Sequence, residues 1–160
     1  MSRGGRFLSF IAELESGSSG VFSIDLQSTA EPVVGYLGLN QATLVAAGGG
    51  PVAGTTMTLE LDKAQSLQAA GLLGLSTSPP SAPCGVLLPG KGELLLGLPI
   101  LVLDAGVWSG SPLSIDLAVP ASLVFVGTVV HAQGAFIDPA PGAAEPVRLS
   151  DGLALRIGAN

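Results

Sequence analysis

The sequence predicts an all-β domain, an antiparallel β-sandwich of jelly-roll or Ig-like kind, with about ten short strands and little or no helix. Three observations carry this reading. Apolar residues alternate with polar or small ones at a period of two in several short segments, as in Met57, Leu59, Leu61 and in Leu113, Ile115, Leu117. The segments are separated by turn signals drawn from 23 Gly and 12 Pro. No stretch demands a long helix, although residues 63–70 could form a turn or two. With 160 residues, the chain fits one domain able to bury roughly two-thirds of the surface its unfolded form exposes.

Residues 1–5 read as flexible. Residues 6–14 fit either a helical face (Phe7, Phe10, Ile11, Leu14) or a strand face (Leu8, Phe10, Ala12, Leu14), and the β-rich surroundings favour the strand. The polar ESGSSG that follows reads as a tether, which makes residues 1–18 an N-terminal arm and residues 19–160 the sandwich. A strand with Phe22, Ile24 and Leu26 inward comes next, then one strand or two within residues 33–45, and the GGGP break at residues 48–51. FSIDLQ followed by GYLGL is then echoed by MTLELD followed by GLLGL. The echo reads as a duplicated β unit, with chance similarity in a low-complexity chain as the alternative.

STSPPSAP cannot join a ladder. Residues 86–88 form a short strand, PGKG a turn, and residues 93–103 a strand interrupted by Pro99. The stretch SPLSIDLAVPASLVFVGTVVHAQG, residues 111–134, organises the rest. Its first half has one wet face, Ser114, Asp116 and Ala118, and Pro120 ends it. Residues 123–133 are apolar on both faces, as in a central strand covered on both sides. After a rigid loop, PAPGAAEP, the chain closes with apolar alternations on either side of Asp151 and Gly152. That dipeptide predicts a tight hairpin with positive φ at the turn.

Charged residues make up only 11% of the chain, and the net charge is −6. Six Lys and Arg without a basic stripe exclude a nucleic-acid partner. No apolar run reaches the roughly 18 residues of a membrane span. So little charge leaves small apolar residues to face other subunits. MSRGGRFLSFIAELESG has a basic start but neither a long apolar core nor a small-residue cleavage site. Either the chain is not exported by that route, or the numbering begins after a removed leader.

An ordered series of motifs covers roughly residues 52–158: Gly74–Ser76, Cys84 with Gly85, Val119 with Pro120, Gly127–Gln133, Asp138 with Pro139, and Ser150–Gly158. The series resembles an uncharacterised β-rich C-terminal domain common in secreted proteins of planctomycete-type bacteria. Three features depart from that pattern: Cys84 precedes its Gly, His131 occupies a usual aromatic position, and Asp151 replaces a usual Asn. The resemblance implies a packing role for His131 and an extracellular or cell-surface location. The family domain usually caps a longer protein, whereas here it is nearly the whole chain, which points to assembly over attachment of a cargo.

His131 is the only histidine, so Ser-His-Asp or Cys-His chemistry would need it, with Asp116 or Asp138 as partner. No nucleophile elbow accompanies it, and the chain reads as a non-enzyme. Cys84, the only cysteine, reads as a structural thiol. One His and one Cys do not make a zinc site without two carboxylates. No cofactor is expected; Asp62, Asp104, Asp138 and Asp151 leave calcium open if loops gather them. Trp108 with Tyr36 could form a sugar platform, yet one Trp beside Gly and Ser is more often a core anchor. Phe7, Leu8, Phe10, Ile11 and Leu14 are the candidate assembly residues, and Cys84, His131, Gln133, Asp151 and Gly152 the structural ones. The expected role is a self-assembling subunit whose partner is itself, in a filament, surface coat or shell. The alternative is a secreted module that binds carbohydrate or a cell-surface partner.

Overall fold

A computed structural model describes residues 7–13, 17, 19–63, 68–80, 85–138 and 146–159. Twelve strands follow one another: β1 Phe7–Glu13, β2 Ser19–Asp25, β3 Thr29–Val33, β4 Ala42–Ala47, β5 Thr56–Lys63, β6 Ala69–Ser76, β7 Val86–Leu88, β8 Gly92–Leu94, β9 Leu101–Trp108, β10 Leu113–Ala118, β11 Val129–Ile137 and β12 Val147–Arg156. The protein is all-β. A single 3-10 turn, Leu123–Phe125, is the only helical piece among the described residues.

Eight strands form one mixed sheet in the order β10-β5-β4-β12-β11-β6-β9, with β3 also paired to β12. The path has two halves. In β10-β5-β4 and in β12-β11-β6-β9 every ladder is antiparallel, and the halves meet through one parallel bridge, Ser150 to Ala42. The two halves face one another across the core. A Cβ placed on Gly134 of β11 would fall 2.1 Å from Leu61 Cδ1 of β5, and one on Gly71 of β6 would fall 2.4 Å from Leu113 Cδ1 of β10. Each leucine fills the space its glycine leaves, so these glycines are sockets. Leu59, Leu61, Leu73, Trp108, Ala132, Phe136 and Leu153 fill the interior.

The alternation in residues 113–118 holds: Ile115 is buried and Leu113 and Leu117 pack on the core, while Ser114, Asp116 and Ala118 face outward. Other expectations change. Residues 123–125 leave the ladder in a turn capped by Ser122, with Leu123 and Val124 exposed, and Gly127 at φ 85° redirects the chain into β11. The echo is not a structural repeat. MTLELD and GLLGL lie in β5 and β6, but the earlier GYLGL is a turn closed by the Gly38 N–H donating to the Gly35 carbonyl.

Asp151 and Gly152 do not make a hairpin. β12 runs through them as one ten-residue strand, and Gly152 has no positive φ. Gln133 pairs with Gly152 and Ala135 with Leu149, so Ser150 and Asp151 together oppose Gly134. The dipeptide that signals a turn is used in a bulge. A hairpin there would forfeit the pairing of residues 152–156 with both β3 and β11. That tertiary pairing outweighs the local turn preference.

β1 and β2 pair in a two-stranded sheet of their own from Phe7↔Asp25 to Glu13↔Ser19. The arm thus pairs with a strand that extends through Asp25, and Ser19 and Gly20 of ESGSSG belong to that strand. Beyond the hairpin the chain is anchored: the Ala159 N–H donates to the Leu26 carbonyl, and Gly50 and Gly158 lie against the backbone of residues 26–29.

Candidate functional site

Outward-facing residues of β11 would meet water if nothing covered that side of the sheet. Instead, residues 85–100, including the β7–β8 hairpin, cover that face. Leu95 lies against Gly152, Leu96 against Gly74, and Leu149 near Gly92. Each leucine sits over a strand glycine or beside a turn glycine, which makes a small second apolar layer outside the main core.

Gln133, 3% exposed, holds this layer in place. Its Nε2 donates to the carbonyls of Glu93 and Ser150, both at 2.8 Å, and its Oε1 accepts from the Leu95 N–H at 2.8 Å. The Ser150 hydroxyl accepts from the Gly134 N–H at 2.8 Å and donates to the Asp151 carbonyl. The bulge therefore keeps its backbone groups satisfied while buried. Asn40 extends the network: its Oδ1 accepts from the Glu93 N–H at 2.7 Å and its Nδ2 donates to the Glu93 carbonyl at 3.1 Å. The Glu93 carboxylate accepts from the Leu37 N–H at 3.0 Å. Nearby Asp151 has its carboxyl pushed above the usual range, first by burial and then by the Glu93 charge.

Of the structural candidates, Gln133, Asp151 and Gly152 meet at this node. His131 lies two residues before Gln133 on the same face of β11, directly opposite Ser76 and Ala154. Its Nδ1 is buried without a hydrogen-bond partner, and burial holds the imidazole below its usual pKa. Neither candidate carboxylate joins it. Asp116 accepts from the Thr58 hydroxyl at 2.7 Å on the outer face of the other half-sheet. Asp138 is seven residues farther along the same extended chain, roughly 23 Å at about 3.3 Å per residue. Cys84 and Leu14 lie outside the described residues. Glu93, Asn40 and Ser150 were not among the candidates; isolated polar residues in turn and strand segments carry no periodic signal.

At one end of the core Trp108, 4% exposed, donates its indole N–H to Asp62 Oδ1 at 2.8 Å and meets Phe136 edge-on. Lys63 Nζ lies 4.7 Å from the Trp108 centroid; burial first, then the Arg148 charge, lower its pKa, against an opposing pull from Asp138. Trp108 is thus a core anchor and forms no platform with Tyr36, which is 79% exposed. Among the described residues no three His, Cys, Asp or Glu side chains gather as metal ligands.

Exposed apolar groups include a pair on β1–β2 and a row along the sheet margin. Ile11 and Val21 are cross-strand partners in the hairpin, 76% and 77% exposed. On β9, Leu101, Val102 and Val107 are each more than half exposed, and Leu98 just before it is 79% exposed. β9 and β10 are the two ends of the sheet path. They are joined by residues 109–112, and at their far ends two apolar cavities open, of about 200 and 470 Å³, both walled by Leu75 and Val130. No helix of the described residues is long and apolar enough to cross a membrane. Comparison of the chain with protein-family models, with curated proteins and with solved structures gives no match.

Proposed function

We propose that the protein is a structural subunit that assembles with copies of itself into an extracellular filament, surface coat or shell. In this reading the two half-sheets are the layers of a flattened antiparallel sandwich of jelly-roll or Ig-like kind. Its open margins and the β1–β2 hairpin carry the contacts between subunits. The observation that supports it most is the Ile11 and Val21 pair, exposed on a two-stranded sheet. An isolated hairpin is marginal in water, and an apolar face on it gains stability when covered. The apolar margin of β9 offers a second such surface on the same chain. The low proportion of charge leaves few desolvation costs to oppose contact.

Negative-stain electron microscopy of the full chain tests the proposal, with light scattering over a range of concentrations. Ordered polymers or a concentration-dependent rise in mass are expected, and a monomer at every concentration would refute it. A second reading, a carbohydrate- or cell-surface-binding module, draws on exposed Tyr36 and on a cavity lined by Leu39, Gln41, Lys91 and Arg148. A dispersed monomer retained on a glycan array would favour that reading.

A further inference from the structure

We infer that the turn at residues 34–39, with β7 beside it, is a docking surface for a zwitterionic lipid bilayer, into whose headgroup region its side chains insert. Val34, Tyr36, Leu37 and Leu39 of the turn and Val86 and Leu87 of β7 are all exposed. One buried carboxylate gathers them. Glu93, 4% exposed, accepts from the Leu37 N–H, and it lies so close under the turn that a Cβ on Gly35 would collide with it. Leu87 is the ladder partner of Glu93, and Leu39 and Leu88 wall one cavity with Lys91. The inference stands apart from the self-assembly reading and does not rest on it.

Three features select a bilayer over another protein. The first is the backbone of the turn. Its Leu37 N–H goes to Glu93 and its Gly38 N–H to the Gly35 carbonyl. These amides offer no ladder to a partner strand, and they enter a medium poor in water already satisfied. The second is the lack of charge. No Asp, Glu, Lys or Arg occurs between Glu31 and Glu60, or between Lys63 and Lys91, so neither segment drags a charge into the boundary. Other exposed apolar segments do carry charge: Asp104 on β9, Glu13 on β1 and Asp25 on β2. The third is Tyr36, the chain's only tyrosine. An apolar ring with a polar hydroxyl settles at the membrane–water boundary. Lys91, exposed beside the turn, matches the headgroup phosphate there. With a net charge of −6, the chain as a whole is repelled by an anionic surface, which leaves a zwitterionic one and apolar insertion as the attraction. Insertion is shallow, on the order of 5–10 Å.

Flotation of vesicles through a density gradient tests this on the full chain, because polymers of the protein alone sink. The parent is expected to float with phosphatidylcholine vesicles, in high salt as in low. Tyr36→Asp combined with Leu37→Asp is expected to lower the floated fraction at least about tenfold, as the loss of two large apolar side chains implies. Leu101→Asp, on the β9 margin, is expected to float as the parent does. Circular dichroism checks each fold. Should the double variant unfold, Tyr36→Asp alone, at the most exposed of the six positions, takes its place with the same expected direction. A parent that does not float, or whose flotation salt abolishes, overturns the inference. So does a folded turn variant that floats as the parent does; if light scattering also shows its oligomers lost, the turn is a contact between subunits instead. A monomeric parent that floats, and whose turn variant does not, upholds the inference while the self-assembly reading fails.

Discussion

The outer face of β11 and the β9–β10 margin are built from the same materials, glycine, leucine and valine, and end in opposite states. On the β11 face, glycines 74 and 152 receive Leu96 and Leu95, and Gln133 ties the covering segment down with three short hydrogen bonds. On the margin, Leu101, Val102 and Val107 remain exposed. The difference is polar closure. An apolar layer can be fixed over a sheet when the backbone it buries finds partners, and Gln133, Ser150 and Asn40 supply them at the bulge. On the β9 margin, Asp104 accepts from the Gly106 N–H of its own strand and Trp108 turns to Asp62 and the core, so neither ties a covering segment among the described residues. A cover for it must bring its own backbone donors and acceptors, as a strand does.

The largest effect is expected where the core socket is filled. Gly134→Val places a branched side chain where Leu61 sits; overpacking of this kind costs about 1–3 kcal/mol, more where a backbone must move. A fall in the unfolding midpoint, or loss of soluble protein, checks it. Gln133→Ala comes next. It removes the side-chain partner of the Leu95 N–H and of the Ser150 carbonyl, while the Glu93 carbonyl keeps Asn40 Nδ2. The cost is about 1–3 kcal/mol for each group left without a partner that water does not reach. Denaturant melts should show this loss, with hydrogen exchange rising first in residues 85–100. Were exchange there unchanged, the node would not be what fastens the layer.

Gly152→Val is a smaller break in the same layer. Its Cβ would lie 3.4 Å from Leu95 Cβ, Val33 Cβ and the Ala132 oxygen, so the added methyls cost about 1–3 kcal/mol by crowding. Positive φ plays no part, and Gly152→Ala should therefore melt close to the parent. That outcome separates the bulge from a hairpin turn, which would resist both substitutions.

His131 sharpens the comparison through pH. Its folded pKa lies below the ordinary histidine value of 6.5 because burial disfavours the charged form. The unfolded chain thus binds the proton more readily. The stability involved is present above the unfolded pKa and lost as pH falls from there through the folded value. Asp151 runs the other way: its folded pKa is raised above 3.8 by burial and then by Glu93, so its contribution is present below that value and lost as pH rises through the folded pKa. Thermal melts between pH 7 and pH 5 should therefore show less acid sensitivity in His131→Phe than in the parent. Asp151→Asn should gain stability relative to the parent at neutral pH. The smallest expected effect on folding is that of Ile11→Lys, within about 0.5 kcal/mol for an exposed position, while the proposed self-assembly should weaken, which light scattering checks.

Period-two alternation determined β5 and β10 from sequence alone, because one face of each meets the core and the other meets solvent. The turn at PGKG was equally legible, since its signals are local. So was Gln133 as a residue of note, though only by resemblance; its three partners lie 17 to 40 residues away and leave no trace in a local pattern. Tertiary structure decided the rest. It drew Asp151 and Gly152 into a long strand because β3, β4 and β11 all pair with that strand. It put Leu123 and Val124 outside because Gly127 turns the chain before β11 begins. And it drew Ser19 and Gly20 of a polar linker into a strand, because β2 found its partner in β1. Local chemistry sets which segments can be strands. Which strands pair, and which apolar faces stay open, depends on the distant backbone that reaches them.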